Sequence, residues 1–347
     1  ALYIYGIMYT LKPEVLALIP ENARRSQYFV LGLVCLVRVE ELGKGNIAGH
    51  ENIFERNTEE RYNLMKAGRM NFSPITAEYG MPDHELNNLF EEYLGFKRPQ
   101  YITNPKKPPI VDVTLNGSRH LLWEITDDSL IQKITKMMSG LRLLILDGHH
   151  RYTASWLMKE KDGVEYTMMM LMEGGDRALL LLPWHRAVRL RIRDLENKIH
   201  ENFSIEWQGD NNGEEFYSQL RLRSSMYDVK LGMYDGKKFY VLRANEKLVQ
   251  ELCEKRRETV GLDLIVLHDW LINPLVKKPE EDISFNASPP EAKALVDSGE
   301  FDVAFLLNPF SIKDVERKAF VERRNFPQKS TLFLPKVAEG IVMRRIE

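Results

Sequence analysis

The sequence contains little cysteine and has no excess of charge of either sign. Only two of its 347 residues are cysteines, Cys35 and Cys253, which excludes a disulfide framework and the zinc sites that need paired cysteines. So few cysteines are typical of the reducing cytoplasm, which we predict as the location. The formal net charge of −2 offers no general attraction to nucleic acid or to an anionic membrane, so we expect neither as a partner.

Long apolar runs and several enzyme motifs are also missing. The longest apolar run, residues 28–37, is too short for a membrane-spanning helix, which needs about 20 residues. No signal peptide is visible. There is no G-x-S-x-G motif for a nucleophilic serine, and His50-Glu51 does not continue into an H-E-x-x-H zinc motif. The glycines of a phosphate loop are absent before Lys329.

Buried apolar runs alternate with amphipathic segments along the chain, and this pattern predicts the fold. The order β-α-β-α-β up to about residue 175 indicates an α/β to α+β fold with a mixed sheet. We predict an N-terminal α/β domain over residues 1–176 and a C-terminal α+β domain over residues 177–347. The last segment of the chain is predicted to form a closing hairpin that completes the site.

The stretch LLILDGHHRYTAS, residues 143–155, carries the strongest chemical signal. A predicted buried strand ends at Asp147, at the point where open α/β sheets build their sites. Gly148 permits a sharp turn, and the backbone N–H groups that follow would lie at the start of a helix, which favours an anion. Arg151 adds a guanidinium suited to phosphate. The stretch therefore predicts a phosphate-binding junction between strand and helix.

The candidate site residues follow from this junction and from two other segments. Glu51 is a candidate base, and oxygen ligation of Mg²⁺ through Asp147 and Glu51 suits a nucleotide site. The candidate catalytic residues are Asp147, Glu51, His149 and His150, and the candidate nucleotide-binding residues are Gly148, Arg151, Tyr152, Lys329, Ser330 and Thr331.

Three other groups of polar residues carry a weaker signal of function. Residues 315–324, VERKAFVERR, predict the solvated face of a basic amphipathic helix, because glutamates are interleaved with the basic residues. His185-Arg186 is a polar pair at a strand end that could line the cleft. His268 lies in an apolar segment and is expected at the edge of the core.

Four segments in this order resemble one family of bacteria and archaea. They are GHENIFERNTEER, LDGHHRYTAS, LDLIVLH and FPQKSTLFLPKVAEGIV, and together they are similar to the domain of unknown function 1015 family. The resemblance spans the whole chain and implies a site role for the Pro-x-Lys-Ser-Thr segment at Pro327–Thr331. Members usually begin with a segment that contains Pro-Pro-Tyr-Asp, which this sequence lacks. We therefore expect a truncated product or a short variant.

A second, more distant resemblance is to the ParB/sulfiredoxin superfamily. It covers about residues 45–160, with the turn Gly148-His-His-Arg151-Tyr-Thr-Ala154 in place of the superfamily's G-x-x-R-x-x-A. The resemblance implies a nucleotide-binding core in the N-terminal half. Some members phosphorylate free serine, which implies Glu51 and Asp147 as the acidic pair and residues 149–151 as phosphate ligands.

The leading hypothesis is a nucleotide-dependent phosphotransferase that acts on a small hydroxylated metabolite, with a serine-like amino acid as the first candidate. ATP or ADP with Mg²⁺ would be the cofactor, and the oligomeric state is left open, including a homo-oligomer. One alternative is a non-catalytic nucleotide-binding regulatory protein. Another is a metal-dependent hydrolase that uses His50, His149 and His150.

Overall fold

The computed structural model describes residues 2–16, 18–19, 21–98, 106–211, 213–257 and 259–346. The strands are β1 (Leu2–Tyr9), β2 (Tyr28–Arg38), β3 (Ile47–Ala48), β4 (Met70–Asn71), β5 (Ile75–Tyr79), β6 (Val111–Leu115), β7 (Ser118–Ile125), β8 (Leu143–Asp147), β9 (Tyr166–Glu173), β10 (Leu180–Pro183), β11 (His185–Val188), β12 (Phe203–Gly209), β13 (Lys230–Tyr234), β14 (Phe239–Ala244), β15 (Ile283–Asn286), β16 (Val303–Leu306), β17 (Thr331–Leu334) and β18 (Arg344–Arg345).

The α-helices are α1 (Pro13–Leu16), α2 (Glu55–Gly68), α3 (Glu85–Leu94), α4 (Asp128–Met138), α5 (His149–Asp162), α6 (Ile192–Asn202), α7 (Glu214–Arg221), α8 (Glu246–Arg256), α9 (Leu262–Val266), α10 (Pro279–Asp282), α11 (Pro289–Asp297) and α12 (Ile312–Glu316). Two π-helices, Leu267–Ile272 and Arg317–Glu322, continue α9 and α12. Short 3₁₀ turns cover Glu21–Ala23 and Pro82–His84.

The first sheet has eight strands in the order β3-β8-β5-β9-β2-β1-β7-β6. Its strand pairs are antiparallel except β3 with β8 and β5 with β9, which are parallel. The central strands are apolar on both faces, as β2 shows with seven consecutive buried residues, because helices and the second half of the chain cover the sheet. The predicted α/β to α+β class with a mixed sheet is confirmed.

The second sheet has six strands in the order β12-β14-β13-β16-β11-β15 and is antiparallel throughout. Its β13–β14 hairpin turns at Asp235-Gly236, where Gly236 has a φ of 87°. One apolar cluster takes side chains from both sheets, among them Met170 of β9 and Phe305 of β16. The domain boundary at 176/177 stays a prediction.

The structure differs from the predicted closing hairpin at the C-terminus. No closing hairpin forms, because β17 pairs with the apolar strand β10 and β18 pairs with β4 of the first half. Helix α2 begins at Glu55 without a side-chain cap. In the part of the chain that the structure describes, no helix has both the length and the apolar character needed to cross a membrane.

Candidate functional site

The junction between β8 and α5 has the conformation that its residues predict. Gly148 adopts the left-handed conformation, with φ 96° and ψ 30°, between the strand and the first helical residue, His149. The positive φ favours glycine, and a Cβ here would lie 2.9 Å from Nε of Arg151, so any other residue would also displace the guanidinium. No side chain caps the helix, and its first N–H groups therefore remain available to an anion.

Asp147 is held between two cations. Its Oδ2 atom lies 2.8 Å from a terminal nitrogen of Arg151, and its Oδ1 atom accepts a hydrogen bond from Nζ of Lys336 at 2.8 Å. Burial raises the pKa of Asp147, but Lys336 and Arg151 outweigh this effect and hold the pKa below its usual value. Asp147 is therefore ionised at neutral pH, and Lys336 rather than Lys329 is its partner from the C-terminal segment.

Arg151 also anchors the segment before β5. Its guanidinium donates hydrogen bonds to the hydroxyl of Ser73 at 2.5 Å and to the carbonyl of Pro74 at 2.9 Å. With Asp147, these contacts direct Arg151 across the junction toward β5. In this arrangement Arg151 fixes the shape of the turn, and the phosphate contact predicted for it stays a prediction.

Glu51 holds the Pro-x-Lys-Ser-Thr segment against the first half of the chain. Its Oε1 atom accepts three hydrogen bonds, from the backbone N–H of Ser330 at 3.1 Å, from that of Thr331 at 3.0 Å and from the Thr331 hydroxyl at 2.8 Å. A backbone bridge between Glu51 and Phe326 adds to this contact. Two segments about 280 residues apart in sequence thus meet at one carboxylate.

His50 extends this contact into the core. Its side chain is fully buried, and its Nε2 atom lies 2.7 Å from the hydroxyl oxygen of Thr331. Because that hydroxyl donates its own proton to Glu51, its oxygen must accept the proton on Nε2 of His50. Burial and the neighbouring His149 lower the pKa of His50 well below its usual value, so the ring is neutral. A hydrogen-bonded chain therefore runs from His50 through Thr331 to Glu51.

The two histidines of the motif hold the backbone on either side of Glu51. Nε2 of His149 accepts the backbone N–H of His50 at 3.3 Å, and Nε2 of His150 accepts that of Phe54 at 3.1 Å. Burial lowers the pKa of both histidines, although Glu51 opposes this effect. Both rings are therefore neutral acceptors at neutral pH, and they position the Glu51 loop.

Lys329 and Tyr152 lie in other surroundings than the cluster around Glu51. Lys329 has a left-handed backbone with φ 54°, and its Nζ atom lies 5.0 Å from the centre of the Trp184 ring. Tyr152 is buried in the core, where its hydroxyl bonds the backbone N–H and carbonyl of Glu40 at 3.0 and 2.8 Å. A nucleotide-binding role for Tyr152 stays a prediction.

Arg186 supports the Lys329 turn from inside the protein. Its side chain is fully buried, and its guanidinium donates to the carbonyl of Lys329 at 3.0 Å. Burial lowers the pKa of Arg186 to about 9, with Asp263 and Glu51 opposing this shift. The sequence marks Arg186 only as half of a polar pair at a strand end, because its partner lies 143 residues away.

A cavity of about 430 Å³ opens beside Glu51 and His149, and its volume is in the range of small-molecule sites. Its wall is polar and contains two arginines and two asparagines; the residues that line it are Leu42, Gly43, Gly45, Asn46, Ala48, Gly49, Glu51, Ile53, Arg142, His149, Ala319, Phe320, Arg323 and Asn325. A Cβ on Gly49 would lie 3.0 Å from the His149 ring, so a glycine lets the loop approach the helix closely.

The prediction for residues 315–324 is wrong in part. Phe320 and Arg323 line the cavity, and Lys318 is buried with Nζ 3.3 Å from the Glu322 carboxylate. The π-helix over Arg317–Glu322 changes which residues face inward, so the regular helical period no longer predicts the solvated face.

The imidazoles do not form a metal centre in the described part of the chain. No group of three or more histidine, cysteine, aspartate or glutamate side chains is arranged there to hold a metal ion. The Nε2 atoms of His50, His149 and His150 are each engaged with protein groups. This geometry gives no support to a metal-dependent hydrolase that uses these three histidines.

Comparison with known proteins identifies one family model that matches the chain and several solved structures with low sequence identity to it. A family model with the description "Protein of unknown function (DUF1015)" matches residues 12–265. No curated protein matches the chain. A conserved hypothetical protein from Pyrococcus furiosus is 14% identical, with 88% of this chain and 93% of that chain covered and a TM-score of 0.42.

Two further solved structures are similar at the same level. A free serine kinase in complex with AMP is 12% identical, with 87% of each chain covered and a TM-score of 0.42. SbnI with a C-terminal truncation from Staphylococcus aureus is 14% identical, with 86% of this chain and 82% of that chain covered and a TM-score of 0.43.

Proposed function

Since this chain belongs to the family described as "Protein of unknown function (DUF1015)", which assigns no activity, we propose a function from the site itself. The protein is a nucleotide-dependent phosphotransferase that acts on a small hydroxylated metabolite, with a serine-like amino acid as the first candidate. The observation that carries this proposal is the position of Glu51, which lines the 430 Å³ cavity together with His149 of the uncapped helix α5.

The uncapped start of α5 is the proposed phosphate site. Helix α5 is 14 residues long, and its first turn presents backbone N–H groups and the positive end of the helix dipole. Gly148 removes the side chain that would cover these groups. Because His149 is in this turn and also lines the cavity, a phosphate bound there would be continuous with a nucleoside in the cavity.

The cavity wall suits the rest of a nucleotide. Arg142 and Arg323 supply positive charge, while Asn46 and Asn325 supply hydrogen-bonding amides. The guanidinium of Arg142 lies 5.4 Å from the centre of the Phe320 ring, so this wall also offers a flat apolar surface. ATP or ADP is the proposed nucleotide.

Glu51 is the proposed acceptor-orienting carboxylate. Its Oε1 atom is taken by Ser330 and Thr331, which leaves Oε2 to receive a proton. In the transfer, the acceptor oxygen forms a bond to the terminal phosphorus, the bond from that phosphorus to the nucleotide's bridging oxygen breaks, and the acceptor proton passes to Glu51. Positioning and charge neutralisation account for most of the catalysis in such reactions.

Mg²⁺ is the proposed metal, and the two carboxylates fit it unequally. In nucleotide sites Mg²⁺ is bound by one or two carboxylates, waters and phosphates. Glu51 would fit this role through Oε2, in place of taking the acceptor proton, because Oε1 is engaged by Ser330 and Thr331. Asp147 fits it only after release of Lys336 or Arg151, because these two cations engage both of its oxygens. When bound, the ion would neutralise charge on the phosphates, and Lys336 and Arg151 place two further cations beside the junction.

The test combines binding with turnover. ATP, ADP, CTP and GTP with Mg²⁺ are screened for a rise in melting temperature, and a panel of serine, homoserine, threonine and glycerol is assayed for phosphorylated product. We expect at least one nucleotide to stabilise the protein and at least one acceptor to be phosphorylated. If no nucleotide raises the melting temperature, the proposal fails. Binding without product would identify the protein as the regulatory nucleotide-binding alternative.

The matched variants are Glu51→Gln and Glu55→Gln. Glu55 is an exposed acid on the first turn of α2, four residues from Glu51. We expect Glu51→Gln to bind nucleotide and lose turnover by about 10²–10⁴-fold, the usual contribution of a general base. Glu55→Gln should keep full turnover. Equal activity of the two variants would exclude Glu51 as the base.

A further inference from the structure

A second cluster of polar side chains lies at the other end of the strands of the first sheet, where β5 and β9 finish. Strand β8 is antiparallel to β5, so Asp147 at its end lies beside Thr76, near the start of β5. Strands β5 and β9 are parallel, and their last residues, Tyr79 and Glu173, are paired at the other end. The loops that follow these two carboxyl ends therefore meet away from the junction at Gly148, where α/β sheets also build sites.

Glu173 is the centre of this cluster. Its carboxylate is 1% exposed, and its two oxygens bond Nδ1 of His84 and the side-chain amide of Asn87, the latter at 2.7 Å. Burial raises the pKa of Glu173, and the bond to His84 opposes this effect. A buried carboxylate needs such partners, and Glu173 thereby fixes the orientation of the His84 ring.

His84 projects from this buried support into solvent. Its side chain is 58% exposed, and with Nδ1 on Glu173 its Nε2 atom is the nitrogen left for a ligand. Asp83 and His84 both have left-handed backbones with φ 54°. This conformation is unfavourable for residues other than glycine. The strained residues are those that position the His84 ring against the Glu173 carboxylate.

A second cavity of about 430 Å³ adjoins His84. Three arginines and two asparagines contribute to its wall; the residues that line it are Arg25, Gln27, Tyr28, Phe29, His84, Asn87, Asn88, Glu91, Arg98, Gly175, Asp176, Arg177 and Ala178. Arg98 is paired with Glu91 at 2.8 Å and with Asp176. Arg177 is exposed at the rim.

The side chain of Asn87 has a buried oxygen that lacks a hydrogen-bond donor among the described residues. It is 2% exposed, and its amide nitrogen is oriented by the carboxylates of Glu173 and Asp176. Its Oδ1 atom is buried and accepts no hydrogen bond from the residues that the structure describes. Such orphaned acceptors are rare in native proteins and point to a missing donor.

We propose that the cavity beside His84 is a second ligand site, which takes a small organic oxyanion, a carboxylate or a phosphate, that also carries a hydroxyl or amino donor. Arg177 and Nε2 of His84 contact the anionic group, and a small shift of the Asn87 side chain, which lines the cavity with Oδ1 buried, brings that oxygen to the donor of the ligand. The site is independent of the phosphotransferase proposal, because it shares no residue with the cavity beside Glu51.

The test follows individual histidines by NMR of protein with ¹⁵N-labelled imidazoles. Inorganic phosphate and glycolate are titrated separately, and they distinguish the phosphate source from the hydroxycarboxylate source. We expect the His84 resonance, assigned by its loss in His84→Gln, to shift and saturate by about 10 mM ligand, which corresponds to a Kd of about 1 mM or tighter. The exposed His200 of α6 serves as the internal control.

The variant Arg177→Gln provides the second measurement. Arg177 is exposed, so its replacement leaves the core intact, and we expect the affinity measured at His84 to fall at least about tenfold, or 1.4 kcal/mol. Shifts of His149 and His150 report on the junction at Gly148 and are read separately. A His84 resonance that moves no more than that of His200 with both ligands, or an affinity unchanged in Arg177→Gln, overturns the proposal.

Discussion

The Oε1 atom of Glu51 accepts a hydrogen bond from the hydroxyl of Thr331 at 2.8 Å, across 280 residues of sequence. The same hydroxyl accepts the proton on Nε2 of buried His50, so it is donor and acceptor at once. Loss of this hydroxyl would leave the buried N–H of His50 without an acceptor, whereas Oε1 of Glu51 would keep its two backbone hydrogen bonds. The chain His50–Thr331–Glu51 therefore ties the C-terminal segment to the first sheet more tightly than a surface contact would.

Thr331→Val keeps the shape of the side chain and removes the hydroxyl. We expect the free energy of unfolding to fall by about 1–3 kcal/mol, because a buried N–H on His50 is left without an acceptor. Thr331→Ser retains the hydroxyl and should lose about 0.8 kcal/mol for the missing methyl group. Urea unfolding at pH 7 measures both variants. A Thr331→Val protein as stable as Thr331→Ser would contradict the chain of hydrogen bonds.

Gly148→Ala tests the junction, and Gly140→Ala is its control. Both glycines have left-handed backbones, at φ 96° and 78°, but a Cβ at Gly140 meets nothing within 4 Å. We expect Gly140→Ala to lose about 1–2 kcal/mol of stability from the backbone alone. Gly148→Ala should lose more, because it displaces Arg151, and should weaken nucleotide binding about tenfold or more, or 1.4 kcal/mol. Calorimetric titration measures the affinity for ADP. Equal ADP affinities of the two variants would refute a role of the Gly148 junction in nucleotide binding.

Lys336→Met removes one of the two cations on Asp147. Both side chains are close to half exposed, so we expect a loss of about 0.2–1 kcal/mol at pH 7. The pKa of Asp147 is lowered in the folded protein. The ion pair therefore stabilises the fold fully above the ordinary aspartate pKa of about 3.9, and the stabilisation disappears as the pH falls through the lowered pKa.

Stability curves from urea unfolding at pH 7 and pH 3 measure this difference. The exposed Lys237 in the β13–β14 turn supplies the control variant Lys237→Met, which should match the wild type at both pH values. A deficit of Lys336→Met that is as large at pH 3 as at pH 7 would show that Lys336 acts through packing and not through Asp147.

His268→Gln tests the buried histidines of the second half. Burial lowers the pKa of both His185 and His268 to about 3. Below pH 6.5 these two rings become protonated in the unfolded chain but stay neutral in the folded protein. Their contribution to stability is therefore complete above pH 6.5 and is lost progressively as the pH falls toward 3. Each ring then contributes about 1.4 kcal/mol per pH unit. Glu78, whose pKa is raised to about 8 by burial and Glu316, opposes part of this trend.

The expected result is a shallower pH profile for the variant. Between pH 6 and pH 5, the free energy of unfolding of His268→Gln should fall by about 1.2 kcal/mol less than that of the wild type. His200→Gln, which replaces an exposed ring on α6, should leave the slope unchanged. An unchanged slope for His268→Gln would mean that this ring is charged inside the fold.

The sequence predicts what is encoded locally. The strand, the glycine and the helix of residues 143–155 follow one another within 13 residues, and the structure has them in that order. The fold class follows from the same kind of pattern. The partner of Asp147 could only be guessed, because no local signal marks a lysine 189 residues away. The closing hairpin was wrong for a related reason, since β10 offers β17 an apolar partner from a distant part of the chain.

The π-helix at Arg317–Glu322 marks another limit of prediction. Hydrophobic periodicity assumes 3.6 residues per turn, and an extra residue in a turn rotates the following side chains to another face. Phe320 therefore lines the cavity in a segment that the pattern assigns to solvent. Arg186 was underrated because its role depends on the carbonyl of Lys329 and not on its neighbours in sequence.

The 189 residues between Asp147 and Lys336 also set an order in time. Proteins are made from the N-terminus and domains fold as they emerge, at about 5–20 residues per second. The first sheet is thus complete at Glu173 while the ribosome has still to make the lysine that pairs with Asp147 and the threonine that holds Glu51. During that interval of roughly 8–33 s the nascent chain carries Asp147 with Arg151 but without Lys336, and Glu51 without its donors at Ser330 and Thr331. A chain released early would display the DGHHR turn without the Lys336 contact to Asp147.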